Sequence, residues 1–452
     1  MSFRSRRAAA LSILAGSILF LLNVPSALAV PSFARQTGLA CSACHTTPPE
    51  LNAAGRRFKL VGYTDRAPET PAVKSNPATK HAPLDLLRTL PLSAWIETSL
   101  TTTKAAVPGT QNGTYQFPQD VSLFLAGAWA DHVGSFLQIT YDPQADHFTI
   151  DNTDVRIANA RTTNGHDDLI YGLTLNNNPT VEDLWHTTPA WGFPFMASAA
   201  APGPAAAPIV ASLAQDVAGV GGYAMWNEHL YGDITAYRSN HVGAAQPNAG
   251  TDHGINVQGL APYWRLAWQQ PIGSDTYLEF GTYGMQVKST PGGITGPRDR
   301  FTDKAVDAQL DQTLFIRDIL SLRASYLRET SSLEGTLAGG GAAQSAHNLT
   351  MLTANAEYHF GNAYSAALGV VKVTGTSDEL LFAPAAITGS ANASPNSTTY
   401  IANLSWWPVQ NVQVAGQYSW YPRFNGGSTD YDASGRNANQ NNTLYLLARF
   451  IF

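Results

Sequence analysis

From Pro91 to Phe452 the chain repeats one pattern: stretches of about 10 residues in which apolar and polar side chains alternate, separated by breaks rich in Gly, Asn, Ser and Pro. Leu137, Ile139 and Tyr141 interleave with Gln138, Thr140 and Asp142. Leu320, Leu322, Ala324 and Tyr326 interleave with Ser321, Arg323 and Ser325. Leu352, Ala354, Ala356, Tyr358 and Phe360 do the same with Thr353, Asn355, Glu357 and His359, and Val412, Val414, Gly416, Tyr418 and Trp420 with Gln413, Gln417 and Ser419. A strand sends successive side chains to opposite faces, so each stretch reads as a strand with one apolar and one polar face. Strands are expected to start near residues 92, 120, 135, 148, 167, 217, 229, 259, 275, 303, 319, 349, 364, 398, 412 and 443, about sixteen in all.

A soluble sandwich would alternate in the same way, and the connections decide between the two. Tight turns at 131–134, 227–229, 271–275, 317–318, 361–363 and 408–411 are mostly followed by long stretches, at 177–216, 239–258, 288–301, 330–347, 375–397 and 422–441. Periplasmic turns and extracellular loops of a barrel produce that alternation, and a sandwich has no reason to. Leu444, Leu446, Ala448, Phe450 and Phe452 line one face of the last strand, which can close against the first and leave no unpaired edge in lipid. Terminal Phe452 resembles the recognition signal of proteins inserted into bacterial outer membranes.

The expected fold is therefore all-β: an antiparallel transmembrane β-barrel of about sixteen strands in the bacterial outer membrane, with lipid against its outer face. Charge agrees, because only 13 % of the 452 residues are charged, where a water-soluble chain carries about 25 %. A net charge of −6 without a basic stripe argues against nucleic acid as a partner. A barrel of this size encloses an aqueous lumen, and strand parity puts Arg265, Asp303, Asp307, Asp311, Arg323, Glu357, His359 and Arg449 on its wall. The carboxylate row Asp303, Asp307 and Asp311 has the hard oxygen ligands that suit a divalent cation.

Ahead of the barrel the chain has a different character. Arg4, Arg6 and Arg7 precede an apolar stretch from Ala8 to Val24 and the small residues Ala27-Leu28-Ala29, so residues 1–29 read as a signal peptide. Residues 30–65 read as a short α-helical monohaem cytochrome c segment, 66–90 as an extended linker with Pro68, Pro71, Pro77 and Pro83, and 91–452 as the barrel. Both cysteines of the chain lie in Cys41-Ser42-Ala43-Cys44-His45, the C-x-x-C-H sequence that attaches one c-type haem. The two thiols add to haem vinyl groups and the following imidazole ligates iron. A redox dithiol would need a strand–helix setting, and zinc a second Cys or His pair, and neither is present around the motif. No methionine lies between Met1 and Met196, so the sixth ligand is open: His81 is the nearest candidate, with water, a barrel residue such as His132 or His359, or a vacant position as the others. Pro48-Pro49-Glu50, Leu51, Ala54, Phe58 and Val61 read as a short amphipathic helix with proline in its first turn, ending near Gly62. A segment this small cannot bury a haem by itself, because domains below about 40 residues need outside support.

The block from Val30 to His45, continued by Leu51, Gly55-Arg56, Phe58-Lys59 and Gly62-Tyr63, resembles the N-terminus of the fused monohaem cytochrome and porin family, whose best-known members are outer-membrane iron oxidases. Asn177-Asn178-Pro179 and the stretch from Thr188 to Pro194 are similar to relatives in that family not known to oxidise iron. The resemblance implies an electron conduit: a haem c held by Cys41, Cys44 and His45 at the periplasmic mouth or in the lumen, passing electrons to a periplasmic cytochrome or other carrier. Its implied activity is oxidoreductase-type electron transfer, with extracellular Fe(II) as one donor. No iron-binding motif of the family can be matched here, so the donor does not transfer. The alternative is a porin-like transport protein in which the haem segment is a plug or gate.

Overall fold

Each alternating stretch forms a strand, and each strand pairs antiparallel with its neighbours in sequence until the last meets the first. The structure is a computed structural model and describes residues 30–68, 72–73, 86–87, 90–107, 110, 112–143, 146–239, 256–291, 295–315 and 317–452. The expected signal peptide and His81 lie outside the described residues. Sixteen strands close the barrel. They are β1 (Leu92–Thr103), β2 (Val121–Ala130), β3 (Val133–Asp142), β4 (His147–Thr163), β5 (His166–Asn176), β6 (Val217–Trp226), β7 (Leu230–Ser239) and β8 (Ala261–Ile272), then β9 (Thr276–Ser289), β10 (Asp299–Leu314), β11 (Asp318–Leu333), β12 (Ala346–Phe360), β13 (Tyr364–Gly375), β14 (Ser397–Val409), β15 (Val412–Arg423) and β16 (Thr443–Ile451). Closure is made by β16 on β1, with Leu446 opposite Leu100 and Phe450 opposite Ile96. A short strand, Thr114–Gln116, also pairs with the far end of β1.

Strands β10 and β12 begin earlier than the alternation suggests, at Asp299 and Ala346 rather than near 303 and 349. Alternation marks only the part of a strand that separates lipid from lumen, whereas backbone pairing carries the β10–β11 ladder on to Asp299 and Leu333. Parity follows expectation. Ser321, Arg323 and Ser325 are buried while Leu322 and Tyr326 face outward, and Glu357 and His359 are buried while Phe360 is exposed. Exposed aromatic residues gather near both rims. Trp268 stacks on Phe280, and Tyr364 on Trp406, beside the short turns, while Tyr400 lies against Trp420 towards the long loops. Apolar flanks with aromatic girdles are the outer surface of a barrel in lipid.

The lumen is not the water-filled channel expected from strand number, because two segments fold into it. From the short-turn end comes the N-terminal segment, with helices α1 (Pro31–Thr37) and α2 (Ala53–Leu60). Its contacts run round the wall. Gln36 accepts from the Ala128 amide on β2 (2.8 Å), Tyr63 donates to Asp154 on β4 (2.6 Å), and Arg57 pairs with Asp167 on β5 (2.5 Å). Tyr223 on β6 donates to the Leu60 carbonyl (2.7 Å), Arg56 lies over the Tyr277 ring on β9 (4.3 Å), and Arg323 on β11 pairs with Glu50 (2.5 Å). From the long-loop end comes the connection 177–216, expected outside the barrel. Its Leu184 and Trp185 pack with Leu60 and Val61 against Tyr223 and Tyr231, and its Ile209 and Leu213 pack against Tyr237, Tyr263 and Tyr283. Two buried ion clusters hold it: Arg156 binds Glu182 at 2.9 Å, and Arg265 binds Asp183 at 3.1 Å. Periodicity says nothing about a connection's direction, so this inward course is invisible in it.

Candidate functional site

The two inward segments meet around the Cys41–His45 turn. Cys41–Ala43 forms one turn of 3-10 helix, in which the Cys44 and His45 amides both donate to the Cys41 carbonyl (3.0 and 2.9 Å). Asn52 then couples this turn to α2: its amide donates to the Cys44 carbonyl (3.0 Å), its side chain donates to Ala43 (3.1 Å), and its Oδ1 caps the helix by accepting from Gly55 (3.0 Å). The cap explains why α2 starts at Ala53. Pro48 and Pro49 lie in the preceding turn and not in the first turn of the helix as expected. Gly55 is required by closeness, since a Cβ there would stand 2.2 Å from the Cys44 carbonyl oxygen.

His45 is oriented by two acceptors. Its Nδ1 lies 3.2 Å from both the Pro49 and the Glu50 carbonyl oxygens, which can only accept. Nδ1 therefore carries the proton and Nε2 carries the lone pair. Surrounding protein pushes the imidazole down to about 4 despite those two bonds, so it is neutral and ready to ligate. At metal centres a ligating histidine is oriented in the same way, its other ring N–H donating to a carbonyl.

Cys41, Cys44 and His45 line a cavity of about 530 Å³, within the range of cofactor pockets. Phe33, Leu51 and Phe58 from the N-terminal segment and Trp191 from the connection 177–216 give it an apolar wall. Phe33 stacks on Tyr63 at 5.4 Å and meets Phe58 edge-on at 4.9 Å, which locks α1 to α2. No disulfide joins the cysteines. The motif, an Nε2 that keeps its lone pair and an apolar cavity lined by Cys41, Cys44 and His45 together fit covalent haem attachment. Lys59, His186 and Met196 also line the cavity.

The other expected groups are distributed differently. His132 is exposed at the turn between β2 and β3. His359 is buried in the wall and hydrogen-bonds through Nδ1 with the Thr47 hydroxyl (2.6 Å), behind the cavity rather than on it. Asp303, Asp307 and Asp311 all face inward but do not converge. Asp303 lies opposite Glu329, Asp307 takes Arg265 and Thr187, and Asp311 takes Ser321 and Gln309. Among the described residues, the cluster with ligand-type geometry is instead Glu50, Glu357 and His359, whose atoms lie within 4.8 Å of one another. There Arg323, on Glu50, already supplies the positive charge. His186 is the residue that sequence reasoning missed. It lies two positions before the Thr188–Pro194 stretch singled out by resemblance, and that adjacency was its one signal.

Fold and cavity together define a class: a closed, sixteen-stranded antiparallel β-barrel with an apolar outer face, whose lumen holds a C-x-x-C-H segment under an inward-folded connection. No family model and no curated protein matches the chain. Among solved structures it is similar to OmpF of Salmonella typhi in complex with daunomycin, at 14 % identity over 80 % of this chain and 97 % of that one, with a TM-score of 0.48. It is also similar to the outer-membrane channel DcaP of Acinetobacter baumannii, at 11 % identity over 80 % and 96 %, TM-score 0.47. In-vitro folded OmpT of Vibrio cholerae matches at 10 % identity over 80 % and 96 %, TM-score 0.45. The barrel itself is established by this chain's own closed ladder, β16 on β1.

Proposed function

We propose that this chain resides in the outer membrane, belongs with the fused monohaem cytochromes and porins, and carries electrons across that membrane through one c-type haem held by Cys41, Cys44 and His45. The observation that carries the reading is the position of the C-x-x-C-H turn: inside the barrel, with Cys41, Cys44 and His45 all lining an apolar cavity and His45 Nδ1 held by two carbonyls so that Nε2 keeps the lone pair. Bound there, haem iron would supply a one-electron couple whose potential is set by ligation and burial. This chain's residues do the rest. The thiols anchor, His45 ligates, Phe33, Phe58 and Trp191 exclude water, and the barrel insulates the site from lipid. Extracellular Fe(II) is one donor that fits the reading, and a periplasmic cytochrome is the acceptor.

The test starts from the full chain made with c-haem maturation. Haem should survive denaturing electrophoresis in the wild type and be lost from the Cys41→Ala/Cys44→Ala variant. Purified protein mixed with ferrous iron should then show haem reduction, and a soluble cytochrome should reoxidise it. A wild-type chain without covalent haem sinks the reading. The porin-like barrel favours a second reading, transport with the N-terminal segment as a gate, for which ion flux would be high with the haem reduced or oxidised.

A further inference from the structure

His186 is 3 % exposed, and neither of its ring nitrogens has a hydrogen-bond partner among the described residues. A buried imidazole left without partners costs about 1–3 kcal/mol, and such groups in native proteins call for an explanation. Packing does not supply one, because the ring is presented rather than merely enclosed. Asp183 wires the turn that carries it, accepting from the Trp185 and Thr188 amides (both 2.9 Å) and from the Thr187 and Thr188 hydroxyls (2.9 and 2.8 Å). At the centre of that turn His186 takes a left-handed backbone with φ of 56°, a conformation uncommon for a residue with a side chain. Trp191 flanks the ring at 5.9 Å, and the ring lines the cavity that Cys41, Cys44 and His45 share.

We infer that His186 is the second axial ligand of the haem whose first is His45, making the site bis-histidine with one ligand from each of the two inward segments. The inference rests on the cofactor reading above. Coordination would satisfy one of the two ring nitrogens that have no partner, and it would staple the connection 177–216 to the N-terminal segment. The other cavity residues of ligating type are less suited: Tyr63 already donates its hydroxyl to Asp154 at 2.6 Å. Lys59 commits its ammonium to the Val181 carbonyl at 2.5 Å. Met196 has a thioether that needs no partner when buried and so leaves no orphan to explain.

The experiment is spectroscopy on the full-length haem-loaded chain. The wild type should be low-spin in both oxidation states, bind carbon monoxide slowly, and show the near-infrared magnetic circular dichroism band of bis-imidazole ligation rather than that of an imidazole–thioether or imidazole–amine pair. His186→Gly should shift the ferric haem to high spin and open it to carbon monoxide, and added imidazole should restore the low-spin spectrum. Met196→Leu should leave the spectrum as it is. A high-spin wild type, a His186→Gly protein that stays low-spin with haem attached, or conversion by Met196→Leu instead would each overturn the assignment. The wild-type band decides even if the glycine variant fails to insert. Absence of covalent haem is a separate result that removes the cofactor reading itself.

Discussion

Lys59 is a buried cation beside the cavity, above the Trp191 ring at 4.9 Å. Burial and the Arg156 guanidinium pull its pKa down to about 8, while the Asp154, Glu182 and Asp183 carboxylates oppose them. It therefore carries its charge at neutral pH and loses it on mild alkalinisation. A nearby positive charge disfavours ferric haem relative to ferrous, so with haem bound as proposed the protonated lysine would raise the midpoint potential and deprotonation would lower it. We expect spectroelectrochemical titration to show a fall of tens of millivolts between about pH 7 and pH 9 in the wild type. Lys59→Met should sit near the lower value throughout. A wild-type potential independent of pH over that window would show that the charge does not reach the haem. Gly55 makes a second prediction at this scale. Gly55→Val forces a side chain into the Cys44 carbonyl, where even a Cβ has only 2.2 Å, and overpacking of this kind costs about 1–3 kcal/mol. The haem-to-protein ratio should fall while barrel insertion, measured by heat-modifiable migration, stays normal.

Among the elements, the strands are legible in sequence because lipid outside and polar side chains inside leave a period of two on every one of them. Residues such as Leu322, Arg323, Ala324 and Ser325 could not be reordered without exposing an arginine to hydrocarbon. The C-x-x-C-H turn is legible because its spacing is chemistry. The connection 177–216 is not, since its Asn, Pro and Ala content is that of any external loop, and its inward course rests on partners far away in sequence, the arginines on β4 and β8 and the wall tyrosines. His186 escaped notice for the same reason. The anchors can be tested. Asp183→Ala removes the hub of the turn and the loop's carboxylate on Arg265, which retains Glu279 and Asp307. Each hydrogen bond to such a charged group contributes about 1.5–3 kcal/mol. With Arg265 still partnered by the wall, the cost falls on docking of the loop. Limited proteolysis should then cut within 177–216 in intact, inserted barrels, where the wild type resists. Equal resistance in the variant would mean that the apolar contacts of Trp185 and Ile209 suffice alone.

For the whole molecule the question is whether the barrel conducts ions or electrons, and the packing of the lumen bears directly on it. The N-terminal segment reaches wall residues from β2 to β12, and the connection 177–216 comes down from the opposite end to meet it at Lys59 and Leu60. An ion path would have to thread two stacked obstructions, each held by buried charge. Reconstituted into planar bilayers, the intact chain should therefore give conductance steps well below those of an open porin of equal strand number. Arg323→Met/Arg57→Met loosens only the first obstruction, by releasing Glu50 from β11 and Asp167 on β5. The second stays seated on Arg156 and Arg265. Conductance in that variant should rise little, and should open fully only when Asp183→Ala is added, because obstructions in series each limit the flow. Full-sized steps in the wild type, or full opening by the first pair of substitutions alone, would place the segment in the role of a simple gate and make the barrel a transport pore rather than an electron conduit.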